Sequence, residues 1–234
     1  MNLPISPRLL ACAQMVSQGA KVADVGCDHG YLSIYLLKQK IATSVIASDI
    51  RPGPLESARK NAQKYAVTEN LTFCLSAGVE CLNRDFDTLV CAGMGGVTMI
   101  SILENAPWLK SEAYTLILQC QSKTHLLRRY LLEHGWVIPK ETVIRDGRFL
   151  YTVMEVRWQP GEGESGPGEA YFPRALMDNP REETAGYYRQ VLKKLRVRVA
   201  GHAQNADPWE VQALADLEAL AQQPELRYLK EEIR

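Results

Sequence analysis

Asp24, Gly26, Asp28 and Gly30 recur through Val22-Ala23-Asp24-Val25-Gly26-Cys27-Asp28-His29-Gly30-Tyr31-Leu32, where an apolar run breaks into an acidic turn and then enters a helical pattern. Glycines at such a break let the backbone turn sharply and approach a ligand, and the helix that follows aims unpaired N–H groups at it. A nucleotide-type cofactor site begins this way in a doubly wound α/β domain. Asp24 sits before the first glycine, where a dinucleotide fingerprint is built to receive pyrophosphate. A carboxylate there repels phosphate but accepts a hydrogen bond from an ammonium group, so the cofactor it suits is S-adenosylmethionine (SAM), whose methionine end carries one. Asp49 closes the apolar run Val45-Ile46-Ala47-Ser48, where the second strand of a βαβ unit should end. A carboxylate at that place reads ribose hydroxyls. The alternative is an incidental strand-to-helix turn, because Asp-x-Gly alone is common.

The elements needed to position these residues are legible in the apolar periodicity. Ser6-Pro7 reads as an N-cap and first-turn proline opening a short helix, with Leu9, Leu10, Ala13 and Val16 inward and Gly19 at its end. Strand-like runs recur at 21–25, 45–49, 71–75, 87–91 and 114–119, with helical patterns at 31–38, 54–65, 96–104 and 123–134. This alternation predicts a parallel sheet with helices on both faces. Two runs at 136–142 and 149–158 follow with only the turn at Asp146-Gly147 between them, which predicts a terminal hairpin. The expected architecture is therefore a Rossmann-like, seven-stranded SAM-dependent methyltransferase fold over residues 1–158.

Residues 159–169 are rich in glycine and proline and read as a linker. Residues 170–234 read as a separate helical unit. Tyr188, Leu192, Leu195 and Val199 mark one face of a first helix. Asp207-Pro208-Trp209-Glu210 supplies an N-cap, a first-turn proline and a capping-box glutamate for a second helix, which Pro224 interrupts or restarts. Together they predict an antiparallel, coiled-coil-like hairpin. Arg189, Lys193, Lys194, Arg196 and Arg198 crowd the first helix, either as a solvated face or as a clamp on RNA phosphates. Tyr187 and Tyr188 are packing residues or base-stacking ones.

Composition narrows the partners. The 234 residues carry 27 basic and 27 acidic side chains, so the chain is no general polyanion binder and a nucleic acid must be met by a local basic face. Six cysteines lie in apolar stretches without zinc-type spacing, which fits reduced core thiols, no metal and a cytoplasmic location. No apolar run is long enough to span a bilayer, and no export signal is expected.

Pairing Asp24-x-Gly26-x-Asp28-His29-x-Tyr31-Leu32 after the first strand with Ala92-Gly93-Met94-Gly95-Gly96 after the fourth, the chain resembles the TrmK family. These are bacterial tRNA (adenine-N1)-methyltransferases acting on the D-arm adenine at position twenty-two. Arg8-Leu9, Gly53-Pro54 and Leu116-Ile117-Leu118-Gln119 also match. The resemblance implies SAM as cofactor, tRNA as partner and a monomer that contacts neither membrane nor metal. It implies cofactor contacts from Asp24, Gly26, Asp28, Gly30, Asp49, Ile50, Ala77, Gly78, Ala92 and Gly93.

The chain departs from the family at Ser76-Ala77-Gly78, where Gly-Asp-Gly is usual, and at Gln119-Cys120-Gln121, where Gln-Pro-Asn is usual. The expected catalytic set is Asp28, His29, Met94 and Gln119. Asp28 either stabilises charge on the adenine or orients SAM. His29 aids proton transfer, contacts phosphate or is structural. Met94 offers an apolar surface to the base, unless its glycine-rich turn is only a tight connection. Gln119 pairs with an adenine edge or makes a loop hydrogen bond. The alternatives are methylation of another RNA nitrogen or a small molecule, and a non-catalytic RNA-binding module with a degenerate SAM site.

Overall fold

The computed structural model describes residues 3–161, 166–178, 181–201 and 205–229, leaving out the side chain of residue 225. Helix α1 (Pro7–Met15) starts with Ser6 at the N-cap position and Pro7 at N1, but the Ser6 hydroxyl makes no capping bond and is buried without a partner. Its most buried face is Ala11, Cys12, Ala13 and Met15. Val16 follows the helix in extended conformation, so α1 ends before Gly19, and Leu9 and Leu10 are only half-buried.

The chain then alternates β1 (Ala20–Val25), α2 (Tyr31–Lys38), β2 (Ala42–Asp49), α3 (Pro52–Lys64), β3 (Leu71–Leu75), β4 (Thr88–Gly95), α4 (Gly96–Glu104), β5 (Thr115–Ser122) and α5 (Thr124–Glu133). Strands β6 (Trp136–Asp146) and β7 (Phe149–Trp158) close the sheet. The strand order is β3-β2-β1-β4-β5-β7-β6, with β7 antiparallel to both neighbours and the other pairings parallel. Asp146 pairs with Phe149, so the hairpin turn is Gly147-Arg148, with Gly147 at φ +59°.

Strands buried on both faces read as continuous apolar runs, and these alternate between two cores. Val22, Val90 and Ile117 face the core beneath α1, α2 and α3, whereas Val25, Leu89, Cys91, Leu116 and Leu118 face the one containing Met99 and Trp136. Successive strands are added outward in one direction from β1 to β3 and in the other from β4 onward, and this reversal of order between the parallel β1 and β4 opens a crevice at their C-terminal ends. Four cysteines are core thiols as expected, but Cys74 is half-buried and Cys81 exposed.

Beyond the sheet lie α6 (Pro167–Tyr171), α7 (Arg174–Met177), α8 (Glu182–Gly201) and α9 (Pro208–Leu220), followed by a 3₁₀ turn at Pro224–Leu229. The expected linker is thus shorter than its glycine and proline content suggests. Pro167 begins α6, and Gly168 is needed for close approach, since a Cβ there would lie 2.6 Å from that of Asp216. Residues 162–165 of that linker lie outside the described ones. The Tyr188 hydroxyl donates to the Leu217 carbonyl and Arg198 pairs with Glu210, so α8 and α9 run antiparallel. The Asp207 side chain accepts from Trp209 N at 3.0 Å, but Glu210 accepts from Tyr171 and Arg198.

These helices share a core with Val143 of β6 and Leu150 of β7. One side chain stitches the layers. Arg128 of α5 is fully buried and donates to both oxygens of Glu141 (2.6 and 3.2 Å), to the Ala170 and Tyr171 carbonyls (3.2 and 3.0 Å), and to Thr152 and Tyr187. Tyr188 is buried and the Tyr187 ring stacks with Phe172, so both tyrosines pack rather than present free faces to bases.

Candidate active site

The loop from β1 to α2 carries three positive φ angles in five residues: Gly26 (+72°), Asp28 (+48°) and Gly30 (+71°). Asp28 is therefore a non-glycine residue in the left-handed region, a conformation that costs on the order of 1–2 kcal/mol and persists only where its surroundings enforce it. Here the enforcement is a set of hydrogen bonds. Gly26 N and Cys27 N both donate to the Ser48 carbonyl at 2.8 Å, Asp28 N donates to Asp49 Oδ2 at 3.3 Å, and Asn61 Nδ2 donates to the His29 carbonyl at 2.9 Å. The second oxygen of Asp49 accepts from Arg51 N at 2.9 Å. Asp49 thus fixes the β1 loop while keeping lone pairs for a ligand.

This loop and the ends of β2, β3 and β4 enclose a cavity of about 620 Å³, within the size range of small-molecule and cofactor sites. Asp24, Gly26, Asp28, His29, Asp49, Ile50, Ala77, Gly78, Ala92, Gly93 and Met94 all line it. Asp24 is buried and accepts a hydrogen bond from the Ser33 hydroxyl. Burial pushes its carboxyl up to about 6, the Ser33 bond opposes this, and Asp49 raises it further. Asp28 and His29 are largely exposed at the rim, 3.7 Å apart. Burial, with Asp24 adding to it, holds the Cys27 thiol protonated, which removes it as a nucleophile.

Two expected site residues are placed elsewhere. Gly30 does not line the cavity. It is the N-cap of α2, and a Cβ there would come 2.9 Å from Ala58 Cβ, so its function is to let α2 approach α3. Gln119 is completely buried and also absent from the cavity wall. The pairing of β4 with β5 skips Gly93, which is bulged at φ +84°, and Gln119 Oε1 accepts from the freed Gly93 N at 3.0 Å. Of the open readings for Gln119, the loop hydrogen bond is the one the geometry contains.

The bulge carries Met94 over the β1 loop. A Cβ on Gly26 would meet Met94 Cε at 2.2 Å, so this glycine is required by packing as well as by φ. Sequence reasoning gave no role to Arg8, Glu80, Asn105 or Gln121, which also line the cavity. Arg8 was visible only as part of a matching dipeptide, and its Nε is buried without a partner. Glu80, four residues beyond Ser76, is an exposed carboxylate in the lining of the same cavity as Ala77. Gln121 was noted only as a departure from the family pattern.

A family model described as a methyltransferase domain matches residues 5–154. A Mycoplasma pneumoniae protein assigned provisionally as a tRNA methyltransferase is 30% identical over 200 residues, covering 82% of this chain and 91% of its own. The chain belongs to this methyltransferase family. The tRNA (adenine(22)-N(1))-methyltransferase of Bacillus subtilis is 29% identical over 154 residues, and the chain spans only 65% of that relative's length. Among solved structures, a Streptococcus pneumoniae protein assigned provisionally as a tRNA (m1A22) methyltransferase, in complex with SAM, superposes with a TM-score of 0.77. It is 26% identical and covers 97% of this chain and 98% of its own.

The site's chemistry fits the family's cofactor. A buried carboxylate, a second at the end of β2 and glycine-lined walls suit a ligand with an ammonium group, a ribose and an apolar ring. Among the described residues no group of side chains is arranged to hold a metal ion, and no helix is long and apolar enough to cross a membrane.

Proposed function

We propose that this protein is a SAM-dependent methyltransferase acting on N1 of an adenine in the D-arm of tRNA. The observation that carries the reading is the β1 loop, where a buried Asp24 and a rim Asp28 flank a glycine packed under Met94. When bound, SAM supplies an electrophilic sulfonium methyl group. Asp24 would accept from its ammonium, Asp49 from its ribose hydroxyls, and Arg8 would pair with its carboxylate. Ile50, Ala77 and Gly78 would flank its adenine, with Glu80 the carboxylate nearest in sequence. The remaining walls, Ala92, Gly93 and Met94, shape the space where the target base enters.

Adenine N1 is a neutral nucleophile with its own lone pair, so no base is needed to activate it. The enzyme must extrude the nucleotide and hold N1 in line with the methyl group, and positioning is most of the catalysis. Methylation leaves the adenine ring positively charged. The Asp28 carboxylate stabilises that charge as it develops, and the strained turn holds the backbone that carries it at the rim.

In this reading residues 1–158 bind SAM and base while residues 170–234 grip the tRNA body, and the protein works in the cytoplasm, where tRNA is. It is proposed to act as a monomer, which light scattering on a 26.2 kDa chain tests directly. The decisive experiment is transfer of labelled methyl from SAM to unmodified tRNA transcripts, with reverse-transcriptase stops locating the product. A stop at the D-arm adenine that disappears in Asp28→Ala is the expected result. SAM binding without transfer to any tRNA removes the proposal.

A further inference from the structure

A second cavity, of about 250 Å³, lies where α8 meets the start of α5. Its charged lining is one-sided: Lys123, Arg128, Lys194 and Arg198 contribute to the wall and no aspartate or glutamate does. Two of these cations are committed, Arg128 to Glu141 and Arg198 to Glu210. The net positive charge therefore rests on Lys123 and Lys194, both exposed side chains. No side chain caps α5, so the partial positive charge of its first turn adds to the same wall. His125 adds hydrogen-bonding capacity without charge, because burial first and Arg198 next hold its ring neutral and it stacks on Tyr171.

Gln121 borders both this cavity and the cofactor cavity. The two cavities therefore adjoin at this side chain. We infer that the second cavity binds a backbone phosphate of the RNA substrate, adjoining the nucleotide whose base enters the cofactor cavity. This rests on the proposed tRNA reading and adds to it a particular contact. The cavity anchors the strand beside the target, which a basic helix face gripping the tRNA body at large does not do.

The test is a double variant, Lys123→Gln with Lys194→Gln, compared with Lys193→Gln, whose side chain is exposed on α8 but outside the cavity. The double variant is expected to weaken tRNA binding about tenfold and to lower the slope of log affinity against log salt by about 0.7 to 0.9, one phosphate's worth. KM for tRNA rises while SAM affinity and melting temperature stay at wild-type values. A tRNA with a neutral methylphosphonate beside the target adenine should bind the wild type weakly and lose nothing further with the double variant. Equal effects from Lys193→Gln and the double variant, or additive losses with the methylphosphonate, overturn the site while leaving the methyltransferase reading intact. Absence of tRNA methylation by the wild type overturns both.

Discussion

The two cavities that meet at Gln121 are lined with opposite charge. In the larger, Asp24, Asp28, Asp49 and Glu80 stand against Arg8 and Arg51, whereas the smaller holds four cations and no carboxylate. They also differ in construction. The larger is made of loops whose backbone is bent into left-handed conformations and locked by hydrogen bonds to Ser48 and Asp49. The smaller is made where two helices and a strand end come together around a buried guanidinium. One is built for a ligand that is cationic at both its ammonium and its sulfonium, the other for a polyanion.

The comparison can be broken hardest at Arg128. Arg128→Met leaves Glu141 charged and unpaired in the interior, and should cost about 3–5 kcal/mol of stability, read from denaturant midpoints. Adding Glu141→Leu should recover most of that loss. Asp28→Ala should lower kcat about 100-fold, with little change in SAM affinity by calorimetry. If SAM affinity falls as steeply as turnover, Asp28 orients the cofactor instead. Asp24→Asn should weaken SAM binding about 10- to 100-fold, the worth of a charged hydrogen bond.

Asp24 also fixes a pH dependence. Its folded carboxyl titrates at about 6, above the usual range, so between that range and pH 6 the folded state holds more protons than the unfolded one. Stability of the cofactor-free protein therefore falls as pH rises through this window, and Asp24→Asn removes the fall. SAM affinity should move the opposite way, weakening as pH drops below about 6 because a protonated Asp24 no longer attracts the ammonium. The smallest effect is expected at the shared wall. Gln121→Ala should raise KM for tRNA about threefold, the loss of one ordinary hydrogen bond, and leave SAM affinity alone.

Much of this arrangement is legible in the amino-acid sequence. Tyr31–Lys38, Leu71–Leu75, Gly96–Glu104 and Phe149–Trp158 begin and end where their apolar periodicity predicts. Asp24 and Asp49 reach the cavity because each closes a strand that ends at the crevice. Of the two readings open for Gln119, the strand's true length decides. β5 runs on past it to Ser122, and alternation puts Gln119 on the side of Ile117, inside the core. The bulge at Gly93 that needs its amide depends on pairing between β4 and β5, which one strand's sequence does not encode. Gly30 shows the same limit: its glycine is demanded by Ala58, on another helix. Glycine and proline content likewise hid the helix at Pro167, because a proline at N1 and a glycine at a close crossing read the same as a loop.

Arg128 has a consequence for how the substrate is chosen. With donors engaged by β6, β7, α6 and α8, it makes any hinge between the helical layer and the sheet expensive. On the proposed reading, the span from the second cavity to the cofactor cavity is then a fixed length, and the protein would work as a ruler. A nucleotide would be selected by how far its base can swing from an anchored backbone, and the RNA, rather than the enzyme, would bend to meet the measure.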